Sequence, residues 1–211
     1  MTGGSLIKSA QPTDTSYTTC MTYTTNKIIP AHGGYKKLMS YQMAEVVYDL
    51  TVLFCKTYMS YSSNKTYTRT YDQMVQAARS GKQNIAEGSM ASGTSKKTEL
   101  KLIGVARASL EELLVDYQDF LRTRGLPLWE KDDPQAKAVR ALAYQSNKSY
   151  TTYMTYIKSA ETASNCLICV IHQANYLLDK QLSALEQEFL EKGGFTENLY
   201  RARKARTQYD L

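Results

Sequence analysis

The chain has 211 residues, 43% of them hydrophobic and 22% charged, a balance that fits one folded domain and excludes wholesale disorder. No run of about 18 uninterrupted apolar residues occurs, and the opening MTGGSLIKSAQPTD lacks an apolar segment, so neither a spanning helix nor a secretory leader is expected and the cytoplasm is the expected compartment. A formal charge of +6 is compatible with a polyanionic partner without requiring one, and four scattered cysteines exclude a disulfide scaffold.

Residues 1–34 read as a flexible N-terminal segment. It contains SYTTCMTYTTNK at 16–27, one of three Tyr/Thr-rich stretches; the others are TYMSYSSNKTYTRTY at 57–71 and NKSYTTYMTYIK at 147–158. Together they hold more than half of the 17 tyrosines. Their period of about three residues is too short for a solenoid unit, so they read as low-complexity insertions in loops or termini. Stacking of their tyrosines on bases is the functional alternative.

A first helix is expected from Tyr35 to Lys56, after His32-Gly33-Gly34, and a second from Arg69 to Ala91, with Gly93 as its exit. The third starts at the N-cap Ser95 and runs to Arg124, where Gly125 and Pro127 stop it. A short helix over Pro134–Tyr144 has proline in its first turn. The last long helix covers Ser159–Lys192 and ends at Gly193-Gly194; TENLYRARKAR adds a few turns in a basic C-terminal tail, residues 193–211. Strand signals are weak. Long helices with short connections predict an all-α, up-and-down antiparallel four-helix bundle over 35–192, with extra short helices.

The third helix carries an apolar seam at heptad spacing, Leu100, Ile103, Leu110, Leu114, Tyr117 and Leu121, interrupted only by Arg107. The first helix carries two seams. One is Met39, Met43, Val46, Leu50 and Leu53; the other is Leu38, Tyr41, Tyr48, Val52 and Cys55, interrupted by Glu45. A helix apolar on two faces must bury both, and a second subunit is the simplest cover expected for the second. Antiparallel pairing sets Glu45 level with Arg79, and Arg79 level with Arg107. These three are expected to form a polar cluster, the alternative being that Glu45 and Arg107 snorkel to water. Asn84 and Glu87 read as a structural polar pair that fixes the second helix on the third.

The same layout collects Lys36, Lys37, Lys82, Lys96, Lys97 and Lys101 at one end, from which the tail with Arg201, Arg203, Lys204 and Arg206 departs. Acidic residues, Glu111, Glu112, Asp116, Asp119, Glu130, Asp132 and Asp133, gather at the other. Lysines in the first turn of a helix oppose its dipole, and positions that break a local rule are often functional. The ten cations are therefore the expected phosphate contacts, with a solvated lysine surface as the alternative.

No sequence signature of catalysis or of a phosphate-binding loop occurs, and no enzyme activity, cofactor or metal is expected. Cys166-x-x-Cys169 lies within the last long helix with His172 following. Three potential ligands without a second CxxC read as buried core thiols rather than a zinc site.

DQMVQAARSGKQNIAEGS (72–89) followed by VARASLEELLVDYQDFL (105–121) resembles a bacterial four-helix bundle family. That family includes proteins encoded in intervening sequences of large-subunit ribosomal RNA genes and the accessory variability determinant of diversity-generating retroelements. The most specific marks are Asn84-Ile85-Ala86-Glu87-Gly88 and Ala106-Arg107-x-Ser109-Leu110; the last third looks like the subgroup with a C-terminal suffix region. The resemblance implies a homopentameric barrel, nucleic acid as the partner and, in the retroelement members, association with a reverse transcriptase. The chain departs at Val75-Gln76, where many members carry a basic pair, and at Lys82, where proline is frequent. A module that binds only protein is the alternative function.

Overall fold

A computed structural model describes residues 29, 31–59, 65–145 and 149–207. Among these the chain is all-α, without strands. The helices are α1 (Met39–Tyr58), α2 (Lys65–Ala91), α3 (Lys96–Thr123), α4 (Pro134–Leu142), α5 (Ala160–Lys192) and α6 (Phe195–Thr207), with 3-10 segments at Tyr35–Lys37 and Tyr150–Tyr156. Their ends follow local chemistry. Ser95 caps α3 by accepting from the Thr98 amide at 3.2 Å, and Ser159 caps α5 by accepting from the Thr162 amide at 3.2 Å. Gly125 and Gly193, at φ 63° and 71°, take up left-handed backbone just past α3 and α5, where other residues are strained.

The four long helices pack in a cycle, α1 on α2, α2 on α3, α3 on α5 and α5 on α1. Specific contacts fix their directions. Ser80 meets Ser109 while Gly88 meets Ile103, so α2 and α3 run oppositely. Arg107 reaches Asp179 and Lys96 reaches Glu188, so α3 and α5 do as well. α1 and α3 face one another through core side chains. Phe54 packs edge-on to Tyr117 at 5.1 Å between ring centroids, and the fully buried Tyr117 hydroxyl donates to Thr51 Oγ1 at 3.2 Å.

α5 is enclosed on every side in its first half, where residues 163–171 are all buried. α4, the Tyr150–Tyr156 segment and the 126–129 loop complete that enclosure beside α1 and α3. Asn165 ties the loop down, accepting from the Trp129 amide at 2.8 Å and donating to the Pro127 carbonyl at 2.9 Å. Replacing Asn165 with Ala strands buried groups of that loop and is expected to cost about 1–3 kcal/mol in urea unfolding.

Three expectations need correction. The stretch at 147–158 is not a peripheral insertion. Among its described residues, Tyr153 is fully buried, Tyr156 packs edge-on to Trp129, and the Ile157 carbonyl accepts from the Tyr58 hydroxyl. Tyrosine supplies the apolar bulk that a polar-looking pattern concealed. Among the described residues of the 57–71 stretch, Thr57 and Tyr58 belong to α1, where the Tyr58 ring packs on Phe54, and 65–71 belong to α2; residues 60–64 lie outside the described residues. Residues 1–28, with the 16–27 stretch, lie outside the described residues.

The third correction concerns the second face of α1. Tyr41 is buried against Tyr35, ring centroids 4.7 Å apart; Tyr48 is half-buried under Lys82; Cys55 is fully buried. Leu38 and Val52 are half-buried. The cover is the chain's own α2, α5 and two 3-10 segments, so this face demands no second subunit.

Candidate nucleic-acid interface

The alternating helix directions bring the Tyr35–Lys37 turn, the end of α2, the start of α3 and the end of α5 to one end of the molecule. The Gly33 amide donates to the Ser89 carbonyl at 3.0 Å. The His32 ring covers Gly93 so closely that a Cβ there would come within 2.8 Å of Nδ1. The start of α6 lies beside the α2–α3 turn, where Phe195 and Asn198 line a cleft with Ser92, Gly93 and Lys96.

Eight of the ten expected cations stand free, four of them at this end and four along α6, which begins beside it. Lys36, Lys37, Lys97, Lys101, Arg201, Arg203, Lys204 and Arg206 are all exposed, and none pairs with an acid among the described residues. The other two are engaged. Lys96 Nζ lies 3.1 Å from both Glu99 and Glu188. Lys82 sits over the Tyr48 ring, 4.2 Å from its centroid, more than two turns back along α2. Lys96 thus escapes the dipole penalty through two carboxylates, whereas Lys97 has no such relief.

Burial pushes the Glu99 carboxyl above the usual glutamate range, against the pull of Lys96. Glu188 behaves oppositely: its hydrogen bonds from Lys96 and Lys192 hold its carboxyl below that range. A lowered folded value means that Glu188 stabilises the fold above its unfolded pKa, about 4.3. That contribution is lost as the pH falls through the lowered value. The melting temperature of the wild type should therefore exceed that of Glu188→Gln at neutral pH, and the gap should close on acidification below the ordinary glutamate pKa. A gap independent of pH contradicts this.

The expected cluster of Glu45, Arg79 and Arg107 does not form. Arg107 turns to α5 and its own helix, with Nη1 2.6 Å from Glu111 Oε2 and Nε 3.1 Å from Asp179 Oδ1. Glu45 is exposed beside the Tyr41 hydroxyl, whose pKa is raised by burial and by Glu45; Arg79 is exposed. The register argument ignored rotation about the helix axis, which points Arg107 away from α1. Sequence reasoning also missed Asp179 and Glu188, because both lie on a helix more than 70 residues away in the chain.

Asn84 bonds within α2, and Ser80 carries the link to α3. Its Nδ2 donates to the Ser80 carbonyl at 2.9 Å and lies 3.1 Å from Ser80 Oγ, which is 2.9 Å from Ser109 Oγ. Gly88, at the other end of the same motif, lets α2 approach within 3.4 Å of Ile103 and of the Glu99 carbonyl, measured from where a Cβ would stand. Both motif segments lie on this seam: Gly88 faces Glu99 and Ile103, while Ser109 and Leu110 face Ser80 and Gly81. Glu87 is exposed and takes no part in it.

At the opposite end, burial raises the Asp116 carboxyl, with Glu112 and Asp119 adding to the shift. No family model, curated protein or solved structure matches this chain.

Among the described residues the thiols of Cys55, Cys166 and Cys169 are free and buried. Burial pushes Cys55 up to about 12 and raises Cys166 and Cys169 as well. Cys166 and Cys169 face the core while His172 is exposed, so the three do not converge, and no group of three metal-ligating side chains exists among the described residues. A thiol reagent at neutral pH should leave Cys55, Cys166 and Cys169 unmodified in the folded protein, read by mass spectrometry of peptides. Rapid labelling of any of the three contradicts their burial.

Proposed function

We propose that this is a non-enzymatic, nucleic-acid-binding accessory protein of the cytoplasm, built as an up-and-down four-helix bundle and acting without a cofactor. The observation that carries the reading is the set of eight exposed cations without acidic partners, four at one end on the Tyr35–Lys37 turn and the start of α3, and four along α6, which begins beside that end. Phosphates release counterions when they bind such a surface, and that release supplies the affinity.

We assign the chain to the family of intervening-sequence proteins and retroelement accessory determinants. The support is the residue pattern of the two segments themselves, together with the place of both on the α2–α3 seam, where Ser109 meets Ser80 and Gly88 meets Ile103. A homopentameric ring and a reverse-transcriptase partner rest on that resemblance alone, since α1 is covered by its own chain.

Changing Lys36, Lys37, Lys97 and Lys101 together to Glu reverses four exposed charges and leaves the core untouched. Binding to a labelled duplex at low salt should weaken by roughly tenfold or more. Unchanged affinity overturns the assignment of this end, and absence of wild-type binding at low salt leaves the protein-interaction module as the function.

A further inference from the structure

A groove of about 630 Å³ runs between α1, α4 and α5. Its wall is apolar, from Met39, Met43, Ala141 and Leu177, and two tyrosines stand open on it: Tyr144 is 89% exposed and Tyr176 60%. Two exposed aromatic rings thus border one apolar groove. Three further features concern charge. No Asp or Glu lines the groove, whereas Lys137, Arg140 and His172 do. The Arg140 guanidinium is anchored on the Lys131 carbonyl rather than on a carboxylate, so its charge is uncompensated. Lys180 is exposed and lies over the Tyr176 ring at 5.6 Å from the centroid, which adds a cation beside that open ring.

The groove also opens toward the basic end. Ser40 Oγ donates to Gln181 at 2.6 Å, which sets Met39 level with Lys180, and Lys36 and Lys37 precede Met39 by less than a turn. Gln173, another lining residue, donates to the Arg140 carbonyl, but its Oε1 is buried without a donor from the chain.

We propose that this groove binds single-stranded nucleic acid, with bases stacked on Tyr144 and Tyr176 and phosphates held by Arg140 and Lys180, Lys137 being paired with Asp132 at 3.1 Å. Exposed tyrosines offer flat faces to any base, and the surrounding cations track the backbone without needing a sequence. Duplex bases are already stacked and present no free face, so the groove discriminates single strands from duplexes while the basic end does not. An acidic amphipathic peptide is the competing occupant, since its apolar face would pack on the rings as well, and the test below separates the two. The proposal rests on the reading of nucleic acid as the ligand and adds a separate site for one class of it.

The test compares the full chain with the double variant Tyr144→Ser, Tyr176→Ser, which removes both rings from exposed positions and leaves every charge in place. Affinities for labelled oligo(dT) and for a duplex of the same length are read by fluorescence anisotropy, alongside a Glu/Leu amphipathic helical peptide. The expected result is a loss of about tenfold or more for oligo(dT), with duplex binding unchanged. Equal oligo(dT) affinity in the two proteins overturns the groove, and duplex binding that still responds to Lys97→Glu and Lys101→Glu then leaves the basic end standing. Binding of the peptide that the double variant abolishes, with oligo(dT) indifferent to it, also overturns the proposal in favour of a protein partner. Absence of wild-type binding to both nucleic acids removes the basic end and the groove together.

Discussion

Replacing Phe54 with Ala should destabilise the protein by about 3–5 kcal/mol, the largest effect expected of any single substitution in the core. Phe54 is fully buried and stands where three aromatic rings converge. It meets Tyr117 at 5.1 Å and Phe120 at 5.0 Å, both edge-on, and Tyr58 at 5.3 Å. Truncation forfeits the transfer energy of the ring and leaves a cavity walled by stiff neighbours that relax little. Edge-to-face pairing adds about 0.5–1.5 kcal/mol beyond the area buried. Urea unfolding at neutral pH measures the loss. A cost under about 1 kcal/mol would mean that α1 and α3 do not meet through this residue.

The second large effect lies at the α2–α3 seam. A Cβ on Gly81 would come within 2.6 Å of Leu110 Cδ2, closer than any real contact, and Leu110 is fully buried. Leucine at position 81 overfills the seam and should cost about 1–3 kcal/mol or more. Leu110→Ala alone opens a cavity and should cost about 2–5 kcal/mol. The pair Gly81→Ala, Leu110→Ala lets the new methyl occupy part of the space vacated, so its cost should fall short of the sum of its two single variants by about 0.5 kcal/mol or more. Strict additivity would show that the two positions do not touch. The outcome bears on function, because the same seam fixes where α3 begins, and with it Lys97 and Lys101.

Much of this arrangement was legible from the residues. Glycines and capping serines marked the ends of α3 and α5, and heptad spacing marked the buried face of α3 at Ile103, Leu110, Leu114, Tyr117 and Leu121. These signals are local, so they survive without tertiary information. Non-local features were not legible. The burial of Tyr153 depends on α5 being surrounded, and nothing near residue 153 announces it. The partners of Lys96 and Arg107 are Glu188 and Asp179, which become neighbours only once α5 is placed. The two apolar rows of α1 were read correctly as rows, but their cover came from the same chain, because a helix touching two long neighbours and two 3-10 segments has more than one buried side.

The candidate site divides in the same way. Positions at one end follow from helix order alone, and Lys36, Lys37, Lys97 and Lys101 stand there as expected. Whether a lysine is free follows from side-chain neighbours, and Lys82 and Lys96 proved to be engaged. The groove at Tyr144 and Tyr176 left a faint trace in sequence, since His172, Tyr176 and Lys180 repeat every four residues along one exposed face of α5.

The salt dependence of duplex binding tests the central claim most directly. The logarithm of the wild-type binding constant should fall linearly with the logarithm of salt concentration, each phosphate neutralised contributing about 0.9 to the slope, and the slope should flatten by several units when Lys36, Lys37, Lys97 and Lys101 become Glu. A wild-type constant that ignores salt, or a slope identical in the two proteins, would contradict a basic end that grips phosphates.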